Sequence, residues 1–281
     1  MTVRDTSHGS RGPVMVIGGA EDKRGERKVL SRFVDLAGAD PHLVVLSTAS
    51  MRGEEATARY GELFTELGAA RVTGTRPLTR EEAGDPATCE VLADADGIFL
   101  TGGNQVRLVS VIGGTRLEDA LFSARDRGAV IAGTSAGASA VAAHMVAFGR
   151  PGASPRHRMV HISAGLGLVD DVIVDQHFEQ RGRMGRLLAA IALSPKLLGL
   201  GLDEDTAAII YADRTLEVVG KGAVTIVDGS DVATDSFQIK GYRPMMVSGA
   251  VVHALPAGYW FDLRSRMLIP PEVLEEKEAS E

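Results

Sequence analysis

The chain is predicted to adopt an α/β fold in which helices cover a mostly parallel sheet. Three observations lead there. Short apolar runs alternate with segments of helical period, most of the runs end in glycine, and neither an internal repeat nor a long linker divides the 281 residues. The run "VMVIGG" (14–19) suits a buried parallel strand, and "RKVLSRFVDLAG" (27–38) spaces Val29, Leu30, Phe33 and Leu36 along one helix face, with Gly38 as its stop. "HLVVLSTAS" (42–50) is a second buried strand and "EEATARYGELFTELG" (54–68) a second amphipathic helix. "GIFLTGGNQ" (97–105) is a strand running into glycines, "RLEDALFSARDRG" (116–128) a helix, and "AVIAG" (129–133) the strand before a small-residue helix, "AGASAVAAHM".

Beyond residue 160 the pattern changes. "VIVDQHF" (172–178) reads as a strand and "GRMGRLLAAIAL" (182–193) as a helix. "TAAIIYADRTLEVVGKGAVTIVDG" (206–229) reads as a strand meander, and residues 244–263 add further strands. The expected organisation is a flexible lead over residues 1–12, one α/β domain with a β-rich C-terminal part over 13–270, and a charged tail over 271–281.

A net charge of −7 disfavours nucleic acid and anionic membrane as partners. The single cysteine, Cys89, rules out an internal disulfide and a cysteine-based zinc site. The opening residues lack the apolar core of a secretory signal and no stretch has the length of a membrane span, so a cytoplasmic location is expected.

Three glycine-rich turns fall where strands end, the place at which open α/β sheets hold ligands: Gly18-Gly19, Gly102-Gly103 and residues 133–137. "GGAEDK" is neither G-x-G-x-x-G nor a phosphate loop with Gly-Lys-Ser/Thr, which argues against a nucleotide cofactor. Gly133-Thr134-Ser135-Ala136-Gly137 fits G-x-S-x-G, a strand-to-helix bend that exposes a nucleophilic hydroxyl. That motif is weak alone; the strand before it and the helix after it supply the required context.

A serine nucleophile needs a base. His8 lies in the lead, and His42 starts its strand at the far end. His144, on the expected helix after the bend, lies about 13 Å away at 1.5 Å per residue. His157 and His161 show an i,i+4 spacing without a zinc-protease signature, so no metal is expected, and His253 reads as structural. His177 closes an apolar strand beside Asp175 and Gln176 and is the best base. For the acid, "GLDEDTA" offers Asp203, Glu204 and Asp205; in an extended chain Glu204 points away from the other two, and the residues leave the choice open.

Taken in order, "GGAEDK", "TGGNQ", "AGTSAGAS", "GLGLVDDVIVDQHF" and "GLDEDTA" resemble the cyanophycinase family of S51 serine peptidases, over roughly residues 12–220. The resemblance implies a flavodoxin-like or class I glutamine-amidotransferase-like sandwich. It also implies Ser135 as nucleophile, His177 as general base and Glu204 as its orienting acid, with the N–H groups of Gly103 and Ala136 as oxyanion hole. The implied substrate is cyanophycin, a polyaspartate carrying arginine on each β-carboxyl, released as β-Asp-Arg dipeptides without a cofactor. A homodimer is implied too. Gln105, Asp175, Gln176 and the cluster Arg181, Arg183, Arg186 are then expected to bind substrate, since guanidinium groups match carboxylates and acidic groups match guanidinium. Asn104 departs from the pattern, standing where Asp is as readily expected. An α-aspartyl dipeptidase of the same peptidase family and a non-catalytic binding protein on this scaffold are the alternatives.

Overall fold

In the computed structural model the chain is described over residues 11–270, so most of the expected lead and all of the tail lie outside the described residues. The end of the lead is tied down: the Gly12 N–H donates to the Arg125 carbonyl (2.7 Å), and Arg125 Nε donates back to the Gly12 carbonyl (2.9 Å).

The first half alternates as its periodicity requires. In order come β1 (Val14–Ile17), α1 (Lys28–Ala37), β2 (His42–Leu46), α2 (Gly53–Glu66), β3 (Arg71–Thr75), α3 (Arg80–Gly84), α4 (Pro86–Glu90), β4 (Gly97–Leu100), α5 (Gln105–Ile112), α6 (Arg116–Asp126) and β5 (Val130–Thr134). Helix α1 buries Val29, Leu30, Phe33 and Val34, and Gly38 ends it at φ 97°. The following stretch departs from expectation. Helix α7 (Ala136–Val141) stops after six residues, and β6 (Ala142–Gly149) takes over, pairing with β7 (Val160–Ala164) and β8 (Val169–Gln176). Ladder hydrogen bonds on both sides of "HMVAFG" outweigh the helical preference of the alanines before it, so His144 sits on a strand rather than a helix.

After a 3-10 turn (Glu179–Arg181) come α8 (Met184–Leu193), β9 (Leu198–Leu202), β10 (Thr206–Ile210), β11 (Thr215–Gly220) and β12 (Ala223–Asp228). Short strands β13 (Ala233–Thr234), β14 (Val247–Ser248), β15 (Val251–Pro256), β16 (Trp260–Asp262) and β17 (Met267–Ile269) complete the order.

These strands form two large sheets. The first runs β17-β16-β11-β10-β1-β5-β4-β2-β3, parallel from β1 to β3 and antiparallel beyond β1 on the other side. The second runs β15-β12-β9-β8-β6-β7, with β6, β8 and β9 parallel. The additional C-terminal strands extend both sheets, β10, β11, β16 and β17 in the first and β9, β12 and β15 in the second.

Period-two alternation sends Met15, Ile17, Val45 and Phe99 to one face of the first sheet, where they meet Phe33 and Phe64 of α1 and α2. Val14, Val16, Leu46 and Leu100 face the other way, into a core shared with α5, α6, α7 and the second sheet. Helix α8 covers the outer face of that second sheet through Leu187 and Ile191.

The space around each residue sets the sign of two glycine substitutions. A Cβ at Gly137 would lie 3.0 Å from the Leu100 carbonyl carbon, whereas one at Gly61, inside α2, would meet nothing within 4 Å. Gly137→Ala is expected to destabilise by about 1–3 kcal/mol through overpacking, and Gly61→Ala to stabilise by about 0.4–1 kcal/mol. Denaturant midpoints check both, and equal shifts of one sign would refute this packing.

Candidate active site

Ser135 sits between β5 and α7 with φ 51° and ψ −107°, a backbone shape that side-chain-bearing residues rarely adopt. Its neighbours make the bend possible: a Cβ at Gly133 would come 2.5 Å from the Gly137 carbonyl carbon. The Ser135 N–H donates to the Ile17 carbonyl (3.0 Å), fastening the bend to β1.

His177 follows the last residue of β8, at φ 47°. Glu204 lies in the three-residue crossover that carries the chain from β9 in the second sheet to β10 in the first. The three side chains meet: Ser135 Oγ is 2.9 Å from His177 Nε2, and His177 Nδ1 is 2.6 Å from Glu204 Oε1. With a carboxylate at Nδ1, the proton belongs there, leaving the Nε2 lone pair toward the serine hydroxyl. Burial holds the His177 imidazole below its usual range; the Glu204 hydrogen bond opposes that shift and the Arg181 charge reinforces it. The ring is therefore neutral at pH 7 and able to accept a proton. Gly19 lies flat against it, where a Cβ would come 2.6 Å from Nε2.

The other two acids of the crossover have their own partners. Asp203 accepts from the N–H groups of Glu179 (3.1 Å) and Ala223 (3.0 Å), and Asp205 from that of Asp22 (2.8 Å). Only Glu204 faces the imidazole, although the segment is a turn and not the extended strand end expected.

The arginine cluster divides. Asp175 is buried and takes a two-pronged ion pair from Arg186, through Nε to Oδ2 at 2.7 Å and through Nη2 to Oδ1. Arg183, also buried, donates to Asp175 Oδ1 (3.3 Å), to the Gln176 side chain (2.9 Å) and to the Gln176 carbonyl. Burial brings its guanidinium down to about 10. These charges compensate one another within the fold: Arg183 and Arg186 are engaged with Asp175 and Gln176, whereas Arg181 is the exposed member of the three. Gln105 is likewise engaged, its amide donating to the carbonyls of Val146 (3.1 Å) and Ala147 (2.8 Å). Asn104 caps α5 by accepting from the Arg107 N–H (3.0 Å), a role an aspartate fills equally well. Gly103 takes φ 145° in the turn before α5, and Ala136 opens α7 directly after the serine.

One residue escaped the sequence reading. Glu21 is buried beneath the bend, where Oε2 accepts from Thr134 Oγ1 (2.8 Å), and Oε1 accepts from Lys23 Nζ (2.9 Å) and from the Tyr60 hydroxyl. Burial alone would raise its carboxyl, but the Lys23 charge and the Tyr60 and Lys23 hydrogen bonds outweigh it and hold the group ionised. The available signal was an acidic residue two positions after the glycine pair in "GGAEDK"; its burial depends on Tyr60, which arrives from α2.

The chain is similar to known proteins along most of its length. The sequence model of peptidase family S51 matches residues 14–219. A cyanophycinase of Trichormus variabilis is 39% identical over 269 residues, covering 94% of this chain and 90% of the relative. One from Geminocystis herdmanii is 38% identical over 251 residues (88% and 92%), and one from Thermosynechococcus vestitus 35% identical over 283 residues (96% and 87%). Among solved structures, a peptidase from an acI-B1 Actinobacterium shares the fold with a TM-score of 0.67 at 22% identity, over 91% of this chain and 98% of that one.

Glu21→Gln exchanges an ionised acceptor for an amide that cannot satisfy all three donors. The expected cost is about 1–3 kcal/mol of stability, with at least a ~10-fold slower reaction of Ser135 with a fluorophosphonate. Wild-type labelling at an unchanged unfolding midpoint would make Glu21 a bystander.

Proposed function

Because the chain belongs to peptidase family S51, we propose that it is a serine exopeptidase hydrolysing cyanophycin to β-Asp-Arg dipeptides. The observation that carries this reading is the unbroken chain of hydrogen bonds from Glu204 through His177 to Ser135, in a protein similar along most of its length to cyanophycinases.

Ser135 Oγ attacks the scissile carbonyl while His177 Nε2 takes its proton. Glu204 stabilises the resulting imidazolium, and the Gly103 and Ala136 N–H groups receive the oxyanion. Collapse of the tetrahedral intermediate breaks the C–N bond, and the imidazolium returns the proton to the leaving amine. Water, activated by the same histidine, then releases the acyl group from Ser135. Arg181 is the direct contact for a substrate carboxylate. Gln105, Asp175, Gln176, Arg183 and Arg186 form the wall that holds its turn in place. The resemblance further makes the protein a cytoplasmic homodimer, for which sedimentation at twice the monomer mass is the check.

Mass spectrometry of products after incubation with cyanophycin tests the activity. β-Asp-Arg is expected, and cleavage of α-aspartyl dipeptides with cyanophycin untouched would overturn the reading. Ser135→Ala is expected to lower turnover by ~10³-fold or more, and Glu204→Gln by ~10²-fold or more with little change in KM. Asp203→Asn and Asp205→Asn should stay within about tenfold of wild type. A dominant Asp203 or Asp205 would show that the acid was misassigned.

The histidine also sets the pH profile. Activity should rise with pH as His177 loses its proton, with a midpoint below that of an ordinary imidazole. Glu204 raises that midpoint and Arg181 lowers it, so Glu204→Gln should move the acid limb down in pH and Arg181→Gln should move it up. Shifts in the opposite sense would contradict the electrostatics described above.

A further inference from the structure

Within a chain of 37 acidic and 30 basic residues, two stretches, 127–169 and 236–261, contain neither Asp nor Glu. The fold brings parts of both together. His157 N–H donates to the Arg243 carbonyl (3.0 Å), Met245 N–H to the Pro155 carbonyl (3.1 Å), and the His157 ring meets the Gly241 carbonyl (2.8 Å). Arg150, Arg158, Lys240 and Arg243 are exposed on the resulting surface and Arg156 is half-buried; among the described residues none of the five forms an ion pair. Two of them share a support, with Arg150 Cζ 5.0 Å and Arg156 Cζ 5.5 Å from the centre of the exposed Tyr242 ring.

Like charges gathered with few counter-charges repel, and an anion that bridges them relieves that repulsion. Guanidinium groups stacked on a ring are also partly ordered in advance, with their N–H edges free for carboxylate. A hollow of about 550 Å³ beside them is lined by Lys240, Arg243, Gln238 and Asp235. It therefore offers cations for a carboxylate and one acidic group for a guanidinium, with the cations in excess.

The patch borders the proposed catalytic cleft. Gly152 N–H donates to the Gly182 carbonyl and Gly185 N–H to the Gly152 carbonyl, each at 2.8 Å. The loop from Arg150 to Arg158 thus hangs on the turn that begins at His177 and carries Arg181. Lys240 and Arg243 lie beyond residue 219, outside the part matched by the family model.

We propose that Arg150, Arg156, Arg158, Lys240 and Arg243 form a carboxylate-binding strip that holds a polymeric substrate beyond the residue being cleaved. Its assignment to cyanophycin rests on the hydrolytic reading above; its affinity for a carboxylate polymer does not. Fluorescence anisotropy with labelled polyaspartate, in the Ser135→Ala background, isolates the binding. Two double variants, Arg150→Gln with Arg156→Gln and Lys240→Gln with Arg243→Gln, are each expected to weaken it at least about fivefold and to flatten its salt dependence. In the active enzyme, their KM for cyanophycin should rise at least about fivefold more than that for a fragment of two β-Asp-Arg units.

Absence of polyaspartate binding, binding untouched by both double variants, or equal losses on polymer and fragment would each overturn the strip. So would tighter binding of RNA or polyphosphate lost in the same variants. A wild-type enzyme that leaves cyanophycin intact while binding polyaspartate through these residues would overturn the hydrolytic reading and keep the strip.

Discussion

Three consecutive carbonyls, those of Ile17, Gly18 and Gly19, accept the N–H groups of Ser135 (3.0 Å), His177 (2.8 Å) and Asp205 (2.9 Å). Each donor has a positive φ, 51°, 47° and 52° respectively, so each occupies a region that costs a side-chain-bearing residue of order 1–3 kcal/mol. A single peptide segment at the end of β1 thereby stabilises all three strained positions and sets their spacing. No bulkier residue serves at its centre. Gly18 is packed against the Asp203 backbone and Gly19 against the imidazole, so a side chain at either would push apart what the carbonyls hold together. Glu21 and Asp22 extend the same segment, reaching Thr134 on one side and Asp205 on the other.

The two-sheet layout explains why such a clamp is needed. Serine comes from the first sheet, histidine from the second, and glutamate from the crossover between them. Side chains drawn from separate layers inherit no common register, and β1, lying between β5 and β10, is the strand that touches every contributor. The order Ser, His, Glu along the chain is the path of the backbone itself: out of the first sheet after β5, through β8, and back at β10. The buried pairing of Asp175 with Arg183 and Arg186 stiffens the outward part of that path, fixing the turn on which both His177 and Arg181 stand.

Much of this was legible in the residues, and the exceptions have physical causes. Strands such as "HLVVL" and helices such as α1 announce themselves because one period of hydrophobicity dominates and glycine marks the stop. The bend at Ser135 was legible through its context, a strand before G-x-S-x-G and a small-residue helix after it, and not through the motif alone. Residues 142–145 read as helix because alanine favours helix locally, whereas the decision belonged to pairing with β7 and β8, which follow later in the chain. Charges were the least readable. Arg181, Arg183 and Arg186 look alike in sequence, yet the partners that bury two of them, Asp175 and Gln176, become neighbours through tertiary structure. The acid at Glu204 could not be chosen by strand alternation because the crossover is a turn.

The clamp at the end of β1 also bears on synthesis. Ser135 emerges from the ribosome well before β8, the crossover and β10 exist, and until β10 pairs with β1 no Asp205 N–H is available to the Gly19 carbonyl. A half-made chain therefore carries its serine without a fixed imidazole and without the carboxylate that orients it. Reactivity arrives only when the last of the three segments docks. The complete trio of side chains therefore cannot exist before β10 is made and paired with β1.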